Sequence, residues 1–178
     1  PEWKYSIMHK GCVKGDTVNL GIGQGYLVAT PMQLANYAAI LATKGQYIQP
    51  SLASVDKQKK SLKIWQDDKI SNSDWEKMHE ALLGVIESDD GTARSIRYLK
   101  EFQVAGKSGT AELVSLDSKE AYQDVRTSEL LRDHSIIIAF GPMPNPRYAV
   151  SVVIENGESG GAVAGPVAIE VLKSLINE

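Results

Sequence analysis

Two short apolar runs in the C-terminal third of the chain show the clearest pattern of hydrophobic positions. Residues 134–140 and 148–154 are rich in Ile, Val, Tyr and Phe, a composition typical of strands. The turn-forming stretch Pro142-Met-Pro-Asn-Pro146 separates them and leaves no room for a helix. Strands joined this closely pair antiparallel, so the pattern predicts a β-hairpin.

Apolar residues at helical spacing predict three helices. The first begins at Thr30, a capping residue that Pro31 follows, and ends at Gly45. The second is predicted to run from the capping box Ser73-Asp-Trp-Glu76 to about Ser88. The third follows the glycine-rich loop of residues 157–165 and has a proline, residue 166, in its first turn.

Weaker patterns complete the predicted fold. Residues 102–114 alternate well enough to be a third strand, and residues 16–20 form a short β-like run. Gly21-Ile-Gly-Gln-Gly25 is interpreted as a tight strand-to-helix connection, and residues 61–65 as part of short exposed strands. Residues 115–133 are polar and are expected to be the least ordered. This order of elements predicts an α+β fold, an antiparallel sheet flanked by helices.

Composition narrows the classes of function. With 178 residues and 43% apolar content, one domain with a sizeable core is expected. The net charge of −3, from 19 basic and 22 acidic residues, is unlike the basic surface that nucleic-acid binding requires, so no nucleic-acid partner is predicted. Cys12 is the only cysteine, and His9 and His79 have no companions that suggest a metal site, so neither a metal nor another cofactor is predicted.

The N-terminus bears on the completeness of the chain. It reads PEWKY, without an initiator Met or the basic-then-apolar order of a signal peptide, and no apolar stretch in the chain approaches the length of a membrane span. We therefore expect the sequence to be cut from a longer protein.

Residues 104–112, VAGKSGTAE, hold the candidate chemistry. A phosphate-binding loop would need glycine where the chain has Glu101, and it would lead into a helix, whereas residues 110–114 are predicted to continue as a strand. The glycines of residues 21–25 lack the spacing of a dinucleotide fingerprint. Nucleotide binding is therefore not predicted.

An acyl-transfer site explains more of these residues. On an edge strand, the hydroxyl of Ser108 and the positive field of Lys107 can hold a substrate carboxylate. Gly109 lacks a Cβ and lets a reacting carbonyl lie against the backbone, and the backbone N–H of Thr110 can donate to an oxyanion. On the tripeptide alone, a surface strand with a chance Lys-Ser-Gly remains an equal alternative.

Lys107-Ser108-Gly109 also resembles the Lys-Thr/Ser-Gly element of β-lactamases and penicillin-binding proteins, in the Lys-Ser-Gly-Thr-Ala form of class B penicillin-binding proteins. The stretch GIGQGYLVATPMQLANYAAILATKG, residues 21–45, is similar to the segment upstream of that motif in elongation-type members. Gly91-Thr-Ala93, Asp133-His134 and Glu155-Asn-Gly157 resemble further family segments in the same order.

The resemblance implies part of a β-lactamase/transpeptidase-like fold and a D,D-transpeptidase that cross-links peptidoglycan stem peptides and is acylated by β-lactams. It implies catalytic roles for Lys107, Ser108, Gly109 and Thr110, and substrate contacts by Ser108, Thr110, Ala111 and Glu112. It also implies a periplasmic position at the inner membrane, an anchoring helix outside this segment and a membrane lipid-II polymerase as partner.

One departure from the family is informative. The family nucleophile lies in a Ser-x-x-Lys far upstream, with a Ser-x-Asn between it and the strand motif. Ser54-Val-Asp-Lys57 fits the first pattern only literally, because it follows the segment that should come after the nucleophile and shows no apolar stripe; no Ser-x-Asn exists.

Residues 1–178 are therefore predicted to be the C-terminal portion of a transpeptidase domain, inactive alone and partnered by the upstream part of the same chain. Removal of the upstream helices is expected to leave apolar surface bare. The alternatives are a β-lactam sensor, a serine β-lactamase, or a non-catalytic module of the same fold. His134 is expected to be a structural hydrogen-bonding residue.

Overall fold

Three antiparallel strands form the centre of the fold. The computed structural model describes residues 2–47, 49–50, 69–99, 101–113 and 129–177. Strands β1 (Ala105–Ala111), β2 (His134–Gly141) and β3 (Tyr148–Ile154) lie in the order β1-β2-β3. The predicted hairpin is confirmed as β2–β3. The predicted strand over residues 102–114 is present but shorter, since residues 102–104 precede β1 and residue 114 lies outside the described part.

The described part of the chain has five α-helices, of which the last three pack on this sheet. The five are α1 (Glu2–Met8), α2 (Lys14–Gly21), α3 (Pro31–Ala42), α4 (Asn72–Glu87) and α5 (Gly165–Ile176). Short 3₁₀ turns cover Arg94–Leu99 and Glu129–Leu131, and a π-helical turn, Gly160–Ala164, leads directly into α5. None of the described helices is both long and apolar enough to cross a bilayer.

The core is divided between the two faces of the sheet. On one face, Ile137 and Ala139 of β2 pack in a fully buried cluster with Ile169 and Leu172 of α5. On the other face, Phe140 packs with the buried residues of α3 and α4, namely Leu41, Trp75 and Leu82. Because β2 alternates its side chains between the two clusters, both faces are covered by helices. The predicted α+β fold is therefore confirmed.

The start of α3 agrees with the sequence prediction, whereas α4 is capped by a different serine from the predicted one. The hydroxyl of Thr30 accepts from the amide of Gln33 at 3.2 Å, and the proline that follows it opens α3 as predicted. The prediction that Ser73 caps the next helix is wrong, because Ser71 is the cap and accepts from the amide of Asp74 at 3.2 Å. Both serines are followed by an acidic residue three positions later, so the local signal was ambiguous.

The β-like run predicted for residues 16–20 is also wrong, because these residues lie in α2. Asp16 accepts a hydrogen bond from the Lys4 ammonium and, at 2.8 Å, one from the amide of Val13. Both bonds favour the ionised carboxylate and hold the pKa of Asp16 below its ordinary value. Of the glycine-rich residues 21–25, Gly21 ends α2 and the others begin the connection to α3, so this segment does not join a strand to a helix.

Apolar side chains stay exposed along the N-terminal segment. Of the 22 large exposed apolar residues in the described part, 13 lie between Trp3 and Tyr37. This distribution fits the expectation of bare apolar surface, although its cause stays a prediction. The short strands expected around residues 61–65, the Ser54–Lys57 pattern and residues 115–128 of the segment expected to be least ordered lie outside the described residues.

Candidate active site

The Lys-Ser-Gly strand borders an open groove at the edge of the sheet. Strand β1 pairs with β2 on one side and has no described strand on the other. The groove has a volume of about 350 Å³ and is called the strand groove below. It is lined by three segments: Thr92 from the turn after α4, Lys107, Ser108, Gly109 and Thr110 from β1, and Ser159, Gly160 and Gly161 from the turn before α5.

Two hydroxyls meet in the strand groove. The Oγ1 of Thr92 lies 2.8 Å from the Oγ of Ser108, so one donates to the other. The turn that carries Thr92 lies close to the end of α4 because Gly91 has no side chain: a Cβ there would lie 2.4 Å from the carbonyl oxygen of Val85. The Ser108 hydroxyl is thus oriented by a partner 16 residues earlier in the sequence.

Lys107 supplies the positive charge of the strand groove. Its side chain is exposed, and the Nζ donates to the carbonyl oxygen of Ser108 at 2.6 Å. Among the described residues that line the groove, Lys107 is the sole charged one. An anion that enters the groove therefore meets a single ammonium and no carboxylate from the described lining residues.

Thr110 places backbone polar groups at the open edge of β1. Its carbonyl accepts from the Nε2 of Gln24 at 3.3 Å, so this carbonyl points away from β2. In an antiparallel ladder the amide and carbonyl of one residue point the same way, and neighbouring residues alternate. The amide of Thr110 therefore faces the open edge too. Its hydroxyl donates to the carbonyl of Glu158 at 3.3 Å, which fixes the end of the strand against the opposite wall.

The two walls meet through glycine backbone. Gly160 lies on the Gly109–Ile136 pair so closely that a Cβ at position 160 would be 2.6 Å from the carbonyl oxygen of Gly109. Beyond the groove, Ala111 ends β1 half-buried, and Glu112, which follows it, is exposed. The structure thus brings Lys107 to Thr110 together in one cleft, with the two later residues at its end.

His134 lies behind this wall, not in the groove. Its Nδ1 accepts from the amide of Asn156 at 3.0 Å, so it is a structural hydrogen-bonding residue, as predicted. The side-chain amide of Asn156 donates to the carbonyls of Leu130 and Arg132 at 3.0 Å each. These bonds tie the start of β2 to the turn after β3, which leads into the groove wall.

Several lining residues were not predicted as site residues. Thr92, Ser159, Gly160 and Gly161 line the groove, and Gln24 contacts the site strand from a distance of 86 residues in sequence. The glycine-rich loop of residues 157–165 was a visible signal, but the pattern alone did not say what it packs against. No group of three or more His, Cys, Asp or Glu side chains within the described ranges is arranged to hold a metal ion.

Comparison with known proteins gives consistent results. A family profile described as the penicillin binding protein transpeptidase domain matches residues 1–173. The peptidoglycan D,D-transpeptidase MrdA of Acinetobacter baumannii is 38% identical over 170 residues, which are 92% of this chain and 25% of that protein. The chain therefore spans about a quarter of the length of this curated relative.

Solved structures agree. The penicillin-binding protein PBP2 of Pseudomonas aeruginosa, in complex with WCK 5153, superposes with a TM-score of 0.78 at 34% identity, over 99% of this chain and 36% of that one. PBP2 of Helicobacter pylori, in a complex with MreC, gives 0.76 at 27% identity, over 98% of this chain and 30% of that one. With its fold, its strand motif and nearly its whole length matched, the chain belongs to the penicillin-binding protein transpeptidase family.

Proposed function

We propose that residues 1–178 form the C-terminal portion of a peptidoglycan D,D-transpeptidase of the MrdA type, which cross-links stem peptides by serine acyl transfer and binds β-lactams. The observation that carries this proposal is the strand groove, where one ammonium, a hydroxyl pair and an outward-facing amide lie along β1. The activity named for the relatives supports the reaction class. Because the chain covers about a quarter of their length, the activity belongs to the longer polypeptide.

Lys107 and Ser108 bind the carboxylate of the substrate in this proposal. The ammonium attracts an anion at about 4 Å by about 1 kcal/mol in bulk water and about 4 kcal/mol near a protein surface. The Ser108 hydroxyl, which already bonds Thr92, adds a directed donor beside that charge. A ligand carboxylate can take over the Nζ bond that Lys107 now donates to the carbonyl of Ser108.

Gly109 and Thr110 act on the reacting carbonyl. As the nucleophile attacks, the carbonyl oxygen gains negative charge, and the outward amide of Thr110 donates to it. One such donor is worth roughly 3 kcal/mol of transition-state stabilisation. Gly109 leaves space for the reacting group against the strand. Ala111 and Glu112 run on beside the remainder of the bound peptide.

The attacking serine is supplied by chain outside this segment. We assign it, with its lysine base, to an upstream Ser-x-x-Lys. The lysine takes the serine proton and passes it to the departing nitrogen of the terminal amino acid, so the peptide bond breaks as the acyl-enzyme ester forms. The amine of a second stem peptide then attacks the ester, and its proton returns to the serine oxygen as that oxygen leaves. The same proposal places the site on the periplasmic side of the inner membrane. The membrane anchor lies outside this segment, and a membrane lipid-II polymerase is the partner.

Labelling with a fluorescent penicillin tests this proposal. We would compare residues 1–178 with the natural full-length polypeptide that contains them, and with a chimera in which they replace the matching quarter of Acinetobacter MrdA. We expect a covalent adduct on the two longer chains and none on the segment. A stable adduct on the segment would show that the nucleophile is not missing, and no adduct on either longer chain would refute the transpeptidase assignment.

A pair of lysine variants connects the adduct to the groove. Lys107→Ala in the full-length protein removes the cation of the groove and is expected to slow labelling at least tenfold. Lys173→Ala is the matched control, because Lys173 lies on α5 and pairs with Glu170 at 2.9 Å on the surface. Rapid release of the label as hydrolysed penicillin would favour the β-lactamase alternative.

A further inference from the structure

The side chain of Ser135 is inserted into the π-helical turn that forms one wall of the strand groove. Ser135 is fully buried, and its Oγ donates to the carbonyl of Ser159 at 2.8 Å and accepts from the amide of Ala164 at 3.1 Å. Those two residues are five apart, the spacing that a π-helical turn bridges. The hydroxyl therefore fills the gap that the widened turn opens.

The backbone bonds of the turn agree with this description. The amide of Gly165 bonds to the carbonyl of Gly160, five residues back, where an α-helix would use the amide of Ala164. The displaced Ala164 amide goes to Ser135 instead. A side chain that enters the helical ladder is a recognised cause of local distortion. The residue on β2 thus sets the shape of the turn.

The shape of the π-helical turn affects the residues on both sides of the groove. Gly160 rests on the backbone of Gly109, and a Cβ on Gly161 would lie 2.5 Å from the carbonyl oxygen of Thr92. Thr92 in turn orients the Ser108 hydroxyl. A movement of the turn by a fraction of an ångström would therefore displace both the strand and the hydroxyl pair.

We propose that Ser135 is a positioning residue for acyl transfer. It holds the turn of residues 159–164 in the position in which Gly160 contacts the site strand and Gly161 contacts Thr92. This inference rests on the proposed function. Ser135 is wholly buried, so it acts through the turn and touches no substrate. Without its hydroxyl, the Ala164 amide can bond to the Gly160 carbonyl four residues back, as it would in an α-helix. An α-helical turn then forms and draws Gly160 away from β1.

Acylation kinetics of the full-length protein test this role. A fluorescent penicillin is used at several concentrations to separate the binding constant Ks from the acylation rate constant k2. Because the turn fixes groups that act on the transition state, Ser135→Ala is expected to lower k2 about 10- to 100-fold, as an ångström-scale misplacement does, with Ks within threefold. Thermal melts establish that each variant is folded.

Ser151→Ala is the matched control. Ser151 lies in β3, and its Oγ is also buried but has no hydrogen-bond partner among the described residues, so the same substitution removes a hydroxyl that does not hold the turn. Its k2 should stay within twofold of the wild-type value. Equal losses in the two variants would overturn the proposal, and so would a folded Ser135→Ala protein with wild-type k2.

Ser135→Cys provides a second variant should the alanine variant fail to fold. Cysteine keeps a weak donor and nearly the same shape, so it changes the packing at this fully buried position least. An intermediate loss of k2 supports the role, and an unchanged k2 overturns it. A wild-type protein that forms no adduct refutes the proposed function itself, which separates the two failures.

Discussion

Replacement of Gly160 by alanine is the sharpest stability test that the fold offers. An ideal Cβ at this position would lie 2.3 Å from the carbonyl oxygen of Ile136, 2.6 Å from that of Gly109 and 2.9 Å from the Gly109 nitrogen. All three atoms belong to the backbone of paired strands, so none can rotate away. Ordinary van der Waals contact begins at 3.4 Å, so the turn has to retreat by about 1 Å.

The size of the effect follows from this retreat. Overpacking of a well-packed region costs about 1–3 kcal/mol. For a chain of 150–250 residues each kcal/mol shifts Tm by about 2–4 °C, so Gly160→Ala should lower Tm by about 2–12 °C. The retreat also pulls the turn off β1, and we therefore expect acylation of the full-length protein to fall with the stability.

Gly84→Ala is the control with the opposite sign. Gly84 lies inside α4, and apart from the backbone of its own helix a Cβ there would meet no atom of the described residues within 4 Å. Alanine in an open helical position is worth about 0.5–1 kcal/mol over glycine, so Tm should rise by about 1–4 °C. Both variants are measured by thermal unfolding followed by circular dichroism at 222 nm. A Gly160→Ala protein that melts at or above the wild-type temperature, beside a stabilised Gly84→Ala protein, would refute the close contact.

Two further predictions concern the N-terminal half. Thr30→Ala removes the cap bond to Gln33 and should cost about 1 kcal/mol, seen as a lower urea midpoint at unchanged slope; an unchanged midpoint would argue against the cap. The hydrogen bond from Lys4, followed by that from the amide of Val13, lowers the pKa of Asp16 in the folded state. The stability that this carboxylate contributes is therefore complete above its unfolded-state pKa and is lost as pH falls through the folded-state pKa. Wild-type urea midpoints should fall more steeply in that acidic window than those of Asp16→Asn, and parallel curves would contradict the assignment.

The elements that could be predicted from sequence are those whose signal is local. The β2–β3 hairpin follows from two β-branched runs around a proline-rich turn, and α3 from a threonine cap and a proline in consecutive positions. Helix α2 could not be predicted in this way, because the salt bridge of Asp16 is to Lys4, which lies on another helix. Where two local signals competed, as at Ser71 and Ser73, the sequence pattern could not decide between them, because each serine has an acidic residue three positions later.

The candidate site likewise has one part that could be predicted from the sequence and one part that could not. Lys107 to Thr110 are consecutive, so their motif could be recognised in the sequence. The partners that shape the groove come from 16 to 86 residues away, among them Thr92, Glu158 and Gln24. Such contacts depend on the register of β1 against β2 and on the path of the turn before α5, neither of which periodicity reveals.

The contact between Gly109 and Gly160 explains how the groove can have fixed walls although three of its eight described lining residues are glycines. Where two glycines meet, the walls touch through backbone atoms, whose positions are fixed by the ladder of β1 with β2 and by the bonds of the π-helical turn. Backbone held in this way has fewer alternative states than a wall built from rotamers, and donors that are fixed before the substrate arrives need no reorganisation as charge develops. The Ser135 hydroxyl acts in the same way, because its two hydrogen bonds fix the position of the turn that forms one wall of the groove. A substitution behind the wall should therefore affect acylation as strongly as one in it, provided that it moves the turn.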